Sequence, residues 1–391
     1  RGLRMRETRE VCPLPPCTRG IEPGEINATS PRLVALQYHK TGRAFALGLF
    51  NVLATIGRAP LLLDPGPMAP LDPLDLSSYA RTWARAPLVV QANPDLTAEQ
   101  GAGGSVAGEA QRTSLREVRL IHFVREATDL IVSSMLYHSQ DTRPEQWLDN
   151  AFNPCDSLPR PTGPLSERAA VLMRLASAAA VRDVALERLL RLYPTCQILQ
   201  ERAYTLATAS ATTLGREDAG RARPVGYSDA LRALRLDNAS AALSLEAALS
   251  LPWLLRMAAN ARMLSAMHGH VDHRQIQLSD FYLRGNASRA NFERLMKELM
   301  TYLGVSRGWL CGISVHKAAH AATRRLFVDY SSQIKASSES SATHATHITA
   351  GMVSVEQRAQ WRWELEASSS DYGPLVTHVN RVLVEAGRLM D

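Results

Sequence analysis

One unit of the sequence constrains the fold most: an apolar run, a short polar turn and a second apolar segment. Residues 33–36 are apolar, residues 38–45 read YHKTGRAF, and residues 45–56 are again rich in apolar side chains. This order predicts a strand over residues 33–38, a tight turn, and a helix over residues 43–56 closed by Gly57. The first backbone N–H groups of a helix lack partners and carry partial positive charge, so the turn is predicted to bind an anion.

The basic residue in this turn is a lysine, in a chain that otherwise uses arginine. Of the 44 basic residues only four are lysines, at positions 40, 297, 317 and 335. An ammonium is a compact charge and differs in use from a planar guanidinium. The turn is not a Walker A loop, since no G-x-x-x-x-G-K-[ST] pattern occurs, and strand–turn–helix units with one lysine are common. The turn alone therefore leaves anion binding and a purely structural turn both open.

Composition limits the classes of function. The 391 residues are 46% hydrophobic and 21% charged, which is typical of a soluble globular protein. The net charge of +6 favours anionic ligands, while the absence of a long Lys/Arg block and the 6% aromatic content disfavour nucleic acid. No apolar run is long enough to predict a membrane span. The five cysteines form no CxxC pair, so no zinc site is expected.

The remaining pattern alternates strands and helices. Strands are predicted at 88–90, 118–124 and 275–278, and the proline-dense residues 59–75 are predicted to be loop. Helices are predicted at 127–137, 165–193, 230–267 with an interruption at Pro252, 290–303, 355–367 and 375–389. The alternation predicts an α/β fold with a central, mainly parallel sheet flanked by helices. Residues 1–30 are interpreted as an irregular arm and residues 31–391 as one domain, with 139–270 a helix-rich insertion.

A second group of residues follows the strand at 118–124. Arg125 stands at its end, and Ser133 falls in the second turn of the helix that comes next. An arginine and a hydroxyl placed in this way can hold one phosphate between them. Ligands of open α/β sheets lie outside the carboxyl ends of the strands, where Lys40 and Arg125 are both expected to project.

The two motifs together resemble the sulfotransferases that use 3′-phosphoadenosine 5′-phosphosulfate (PAPS). HKTG at residues 39–42 is similar to that family's first loop, and FVREATDLIVSS at residues 123–134 to its second motif. Weaker similarities lie at residues 277–281, 292–305 and 347–352. The resemblance implies a P-loop NTPase-like sulfotransferase fold, PAPS as donor, adenosine 3′,5′-bisphosphate (PAP) as product and no metal requirement.

The resemblance also implies roles for particular residues. Arg125 and Ser133 would hold the 3′-phosphate, and Lys40 would neutralise the leaving oxygen. The acceptor, whether a small molecule, lipid, carbohydrate or protein tyrosine, is not identified, and the 139–270 insertion would shape its site. The residues expected to wrap the 5′-phosphosulfate are His39, Lys40, Thr41, Gly42, Arg43, Ala44 and Phe45.

The sequence departs from the family pattern at several positions. Arg43 and Ala44 replace hydroxyl residues, Ala127 replaces a proline, and no histidine follows the strand at 88–90. The general base is therefore left open among Asp95, His138 and His39, with Glu99 as a further carboxylate. Two other classes stay open: a non-catalytic nucleotide-binding or interaction protein, and a P-loop-like kinase. The compartment is left open between cytoplasm and Golgi lumen, the latter requiring an anchor removed upstream of Arg1, and the oligomeric state is not indicated.

Overall fold

The computed structural model of the chain describes residues 32–38, 41–64, 85–92, 94, 96, 118–139, 227–267, 271–282, 289–305, 313–327, 353–367 and 372–388. The predicted arm at 1–30, the predicted helix at 165–193 and the segment at 347–352 lie outside these ranges.

Five strands of the described chain form one sheet in which every neighbouring pair is parallel. The order across the sheet is β2-β3-β1-β4-β5. The α/β class predicted from the sequence is confirmed. The strands are β1 (Arg32–Gln37), β2 (Leu61–Asp64), β3 (Leu88–Ala92), β4 (Val118–Val124) and β5 (Asp272–Gln277).

The described helices pack on both sides of this sheet and beyond its carboxyl edge. Their bounds are α1 (Arg43–Gly57), α2 (Ala127–His138), α3 (Tyr227–Asp237), α4 (Ala239–Ala266), α5 (Leu278–Tyr282), α6 (Arg289–Tyr302), α7 (Val315–Leu326), α8 (Val355–Glu366) and α9 (Gly373–Arg388).

Both faces of the sheet are covered, which explains why its central strands are apolar throughout. Every residue of β3 and β4 is buried. Leu33 and Ala35 of β1 pack with α1, α6 and α7 on one face. Val34 and Leu36 pack against the last turns of α4 on the other. Near-continuous hydrophobic runs of this kind are typical of parallel sheets covered by helices on both faces.

A third apolar cluster joins α2, α3, most of α4, α8 and α9. Tyr38 and Val124, which stand at the carboxyl ends of β1 and β4, belong to the same cluster and are fully buried. This helical layer therefore adjoins the sheet at the edge where the predicted anion-binding residues lie.

The structure corrects the predicted loop at 59–75, because residues 61–64 form the edge strand β2 parallel to β3. Pro60 and Pro65 flank this strand and do not interrupt it, and an edge position needs hydrogen bonds on one side only.

The predicted helix interruption at Pro252 is also wrong, since α4 continues through it. A proline removes only its own backbone hydrogen bond and strains one turn, and the packing of this apolar helix against its neighbours offsets that cost. The break lies instead before α4, where the side chain of Asn238 accepts a hydrogen bond from the N–H of Ala241 at 3.1 Å. Likewise α1 includes Gly57, and Arg58 takes the left-handed cap position.

Candidate functional site

The first candidate segment is the connection between β1 and α1. Tyr38 at its start and Thr41 near its end are joined by hydrogen bonds. The N–H of Thr41 donates to the Tyr38 carbonyl at 3.2 Å. The Thr41 hydroxyl accepts from the N–H of Tyr38 at 2.7 Å and donates to the Tyr38 carbonyl at 3.1 Å. Thr41 is fully buried. Its polar groups therefore hold the two ends of the connection together.

Gly42 then starts α1 in a conformation that a side chain would oppose. Its φ of 115° lies in the left-handed region, and an added Cβ would approach the side chain of Leu278 to 3.2 Å. The first helical hydrogen bond runs from the N–H of Ala46 to the Gly42 carbonyl at 2.8 Å. The helix has no side-chain cap and no acidic residue in its first turn. An anion placed there would meet backbone N–H groups and a positive helix end.

The side chains of the first helical turn differ in their exposure. Arg43 and Ala44 are exposed, whereas Phe45 is buried and packs edge-on against Phe123. Phe45 can therefore reach a ligand only through its backbone N–H. Arg43 is the one predicted site residue of this turn whose charged side chain faces solvent in the described chain.

The second candidate segment is the connection from β4 to α2. Arg125 is half-buried there, and Ser133 is 7% exposed in the second turn of α2. The N–H of Ala127, the first helical residue, donates to the side-chain oxygen of Asn380 on α9 at 2.7 Å. This end of α2 is thus held in place by the C-terminal helix.

Helix α8 adds two arginines at the same end of α2. Arg362 pairs with Glu126 at 2.8 Å and with Asp129 at 3.3 Å. Arg358 stands one turn earlier on α8, and burial together with the nearby Arg125 guanidinium lowers its pKa, while the carboxylate of Asp129 raises it. Cationic groups therefore gather where β4 meets α2.

The sheet topology places the two connections side by side. β1 and β4 are neighbours, with Leu36 level with His122, and parallel strands lie about 4.8 Å apart. The connection that leaves β1 forms α1 on one face of the sheet, while the one that leaves β4 returns to β5 through α4 on the opposite face. The carboxyl ends of two strands whose connections diverge in this way are the usual ligand position in open α/β sheets.

A buried polar network lies at the carboxyl ends of these strands. Asn260 of α4 donates to the Tyr38 hydroxyl at 2.6 Å and to the Pro94 carbonyl at 2.8 Å. Its side-chain oxygen accepts from the N–H of Leu96 at 3.0 Å. The Tyr38 hydroxyl lies 3.0 Å from Nε2 of His122 on β4 and, because it already accepts from Asn260, can donate its proton to that nitrogen. One amide therefore connects the ends of β1, β3 and β4.

His122 is held neutral in this network. Burial, and to a lesser extent the neighbouring His273, lowers its pKa from 6.5 to about 3. Between those two pH values the unfolded chain binds a proton that the folded protein excludes. The stability contributed by neutral His122 is therefore complete above pH 6.5 and is lost as the pH falls towards 3.

We expect acid sensitivity from this residue, by up to about 1.4 kcal/mol per pH unit below pH 6.5. His122→Asn keeps a polar group beside Tyr38 without a titrating ring, so its midpoint of unfolding should fall less steeply between pH 7 and 4. Thermal unfolding across this range measures the difference, with His316→Asn on the exposed face of α7 as the control. Parallel pH profiles for His122→Asn and the unmodified protein would contradict the expectation.

Three residues were predicted as candidates for the general base, and one of them is described. His138 ends α2, the 12-residue helix that begins beside Arg125 and is about 18 Å long. Its side chain and that of Glu246 on α4 are 0% exposed, and Nδ1 lies 3.0 Å from the carboxylate. This placement, far from Arg125 and sealed in the helical layer, disfavours His138 as the base. His39 and Asp95, like Lys40, lie outside the described residues.

The network residues His122 and Asn260 were not among the predicted site residues. The sequence holds a weak signal for both, because each is a polar residue within a mainly apolar segment. Such a residue is buried with its segment and then needs a hydrogen-bond partner. Their partners are distant in sequence, so no local pattern could identify them.

Comparison with known proteins identifies no relative of the chain. No protein-family model, curated protein or solved structure matches the chain. Within the described ranges, no three His, Cys, Asp or Glu side chains are grouped so as to hold a metal ion. None of the described helices combines the length and apolar character that a bilayer crossing requires.

Proposed function

We propose that the chain is a sulfotransferase that moves a sulfuryl group from PAPS to a hydroxyl or amine of an acceptor. The observation that carries the proposal is the pairing of two cationic strand–helix connections at neighbouring strands. The connection after β1 offers uncapped helix N–H groups behind Gly42, and the connection after β4 offers Arg125. A donor with phosphate groups at both ends of its ribose would place one at each connection.

The residues fit the demands of such a transfer. Negative charge grows on the leaving oxygen as the S–O bond to the donor phosphate breaks and the acceptor oxygen bonds to sulfur. Lys40 is proposed to neutralise that oxygen, and the N–H groups of residues 43–45 to hold the 5′-phosphate. The missing hydroxyls at Arg43 and Ala44 would be replaced by these N–H groups and by the exposed Arg43 charge.

The base that receives the acceptor proton is proposed to be Asp95 or His39. Asp95 has an additional argument, since Asn260 fixes its neighbours Pro94 and Leu96 next to Tyr38. The segment after β3 is thereby held at the same edge as the first connection. The pH dependence of transfer in Asp95→Asn and His39→Asn would identify which group acts.

Binding of PAP is the direct test of the donor site. A ligand that binds only the folded state stabilises it by about 2.7 kcal/mol at one hundred times its Kd, so the midpoint of thermal unfolding should rise with PAP concentration. No shift at millimolar PAP would count against the proposal. Turnover of ATP without turnover of PAPS would favour a kinase.

Arg125→Ala should remove the selectivity for the 3′-phosphate. A hydrogen bond to a charged group contributes about 1.5–3 kcal/mol, so PAP affinity should fall about tenfold to a hundredfold. Affinity for adenosine 5′-phosphate, which lacks the 3′-phosphate, should change little. Calorimetric titration with both nucleotides measures this, with the exposed Arg294→Ala on α6 as the matched control. Equal losses for the two nucleotides would argue that Arg125 does not contact the 3′-phosphate.

One observation supports a non-catalytic alternative, namely the burial of His138 against Glu246. That pairing leaves fewer candidates for the base than the sequence offered. PAP binding without transfer of labelled sulfate to any of a set of phenol, sugar and amine acceptors would favour a binding protein that kept the fold.

A further inference from the structure

Helix α7 turns one face towards the core of the protein and a basic face towards solvent. Its buried face is built from small residues and packs against α1 and α6, with the side chain of Leu326 lying against Gly48. The helix contains no acidic residue. The exposed side chains with charge or a ring N–H are His316, Lys317, His320, Arg324 and Arg325.

Four of these residues form a narrow row along the helix. With successive residues about 100° apart, His316, Lys317, His320 and Arg324 fall within about 100° of the helix circumference. The row extends over about 12 Å, since each residue adds about 1.5 Å. The exposed side of α7 is therefore a straight line of basic groups.

The neighbouring helix α6 does not neutralise this row. Its two acidic residues face cations of α6 itself, since Glu293 pairs with Lys297 at 3.4 Å and Glu298 pairs with Arg294. Glu293 approaches α7 at His316, with 3.7 Å between the ring nitrogen and the carboxylate. Within the described residues, the lysine and the two arginines of α7 have no carboxylate partner.

The start of α7 departs from the pattern that stabilises a helix. Ser314 caps it by accepting from the N–H of Lys317 at 3.2 Å. A capping box has Glu or Gln at that third position, and negative charge is favoured in the first turn. Helix α8 follows the rule, with Ser354 accepting from the N–H of Gln357 at 3.1 Å and Glu356 in the first turn. A lysine that opposes its own helix indicates a role other than stability.

We propose that the basic row of α7 binds a linear anionic polysaccharide through its sulfate or carboxylate groups. Lysine and arginine form charged hydrogen bonds with such groups, and histidine adds an N–H donor. A narrow row suits a chain better than a flat bilayer, and none of the large exposed apolar side chains of the described residues lies on α7. The helix has no Phe, Tyr or Trp on which a nucleic-acid base could stack. The proposed surface does not depend on the sulfotransferase activity.

A size-defined heparin oligosaccharide is the probe, and uncharged dextran of similar length is the negative control. We expect saturable binding in calorimetric titrations, weakening as the salt concentration rises. Lys317→Glu reverses one charge in the row and should raise the heparin Kd at least tenfold. Arg381→Glu makes the same change in net charge at an exposed position of α9, in the other helical layer, and should leave the Kd unchanged.

Lys317→Glu also separates loss of binding from loss of folding. It places Glu behind the Ser314 cap and in the first turn, so the midpoint of thermal unfolding should rise slightly. Arg324→Gln, at the other end of the row, is a second variant and should raise the heparin Kd several-fold. Equal heparin affinities of the unmodified protein and both variants would overturn the proposal.

The variant Arg125→Ala distinguishes this surface from the candidate donor site, which sulfate groups could also reach. It should weaken PAP binding and leave the heparin Kd unchanged. Heparin binding lost in Arg125→Ala and kept in Lys317→Glu would place the polymer at the donor site and overturn this proposal, not the sulfotransferase. Heparin binding that requires Lys317, in a protein that does not bind PAP, would support this surface and count against the sulfotransferase.

Vesicles rich in phosphatidylserine test a membrane as the partner of the row. We expect little sedimentation of the protein with them at a salt concentration at which heparin binds. Sedimentation with vesicles that requires Lys317, without binding of heparin, would overturn the assignment to a polysaccharide.

Discussion

Lys40→Ala is expected to lower the rate of sulfuryl transfer about a hundredfold to a thousandfold, while the protein stays folded. The proposed task of Lys40 is to stabilise charge that exists only in the transition state. Removal of one such group from a preorganised site usually has an effect of this size on kcat. Transfer of labelled sulfate from PAPS to an acceptor, once one is found, measures it, and PAP affinity should fall much less than kcat.

Lys297→Ala is the matched control for this variant. Lys297 lies on α6, is 42% exposed at its side chain and pairs with Glu293 at 3.4 Å, so its loss should leave transfer unchanged. If Lys40→Ala retained the unmodified rate, the proposed mechanism would be wrong even if PAP still bound. If it lost PAP binding and activity in the same proportion, Lys40 would act in holding the donor and not in the chemical step.

Glu246→Leu should destabilise the protein by about 3–5 kcal/mol, because it leaves His138 buried without its carboxylate partner. Both side chains are fully enclosed between α2 and α4, where water cannot replace the lost interaction. Such a loss approaches the total stability of many domains, so it should be visible as a large fall in the urea midpoint or as failure to fold at 37 °C.

The double variant His138→Leu/Glu246→Leu distinguishes a pair from two independent packing sites. Replacing a buried polar pair by apolar side chains of similar size is often neutral, so the double variant should recover much of the stability lost by Glu246→Leu. Additive losses would show that the two residues do not act together. Ser240→Ala is the control on α4. It removes an exposed hydrogen bond from the Ser240 hydroxyl to Glu364 of α8, so it should change the free energy of unfolding little.

Much of the sheet could be predicted because local patterns determine its central strands. Residues 33–36 are apolar, residues 118–124 are mainly apolar, and a helical segment follows each of them. The parallel order of the strands then places Arg125 beside the connection that begins at Tyr38. The edge strand β2 was missed because four residues between prolines look like loop. The interruption predicted at Pro252 was wrong because the packing that keeps α4 continuous comes from helices distant in sequence.

The candidate site was predictable only in part, for a similar reason. The helix start behind Gly42 follows from residue order alone, since a helix that begins after a glycine needs no distant partner. Asn260 lies 222 residues from Tyr38 and Glu246 lies 108 residues from His138, so those contacts depend on the completed fold. Whether Lys40, His39 and Asp95 converge stays a prediction.

The hydrogen bonds of the Asn260 amide have a mechanical consequence for ligand binding at this edge of the sheet. It is bonded at once to the residue before the first connection and to the segment that leads through Asp95, so neither can shift without pulling the other. A ligand that binds at one of these two segments should therefore stiffen the other. In the proposed sulfotransferase such a link would favour ordered binding, with the first substrate lowering the entropy that the second must lose.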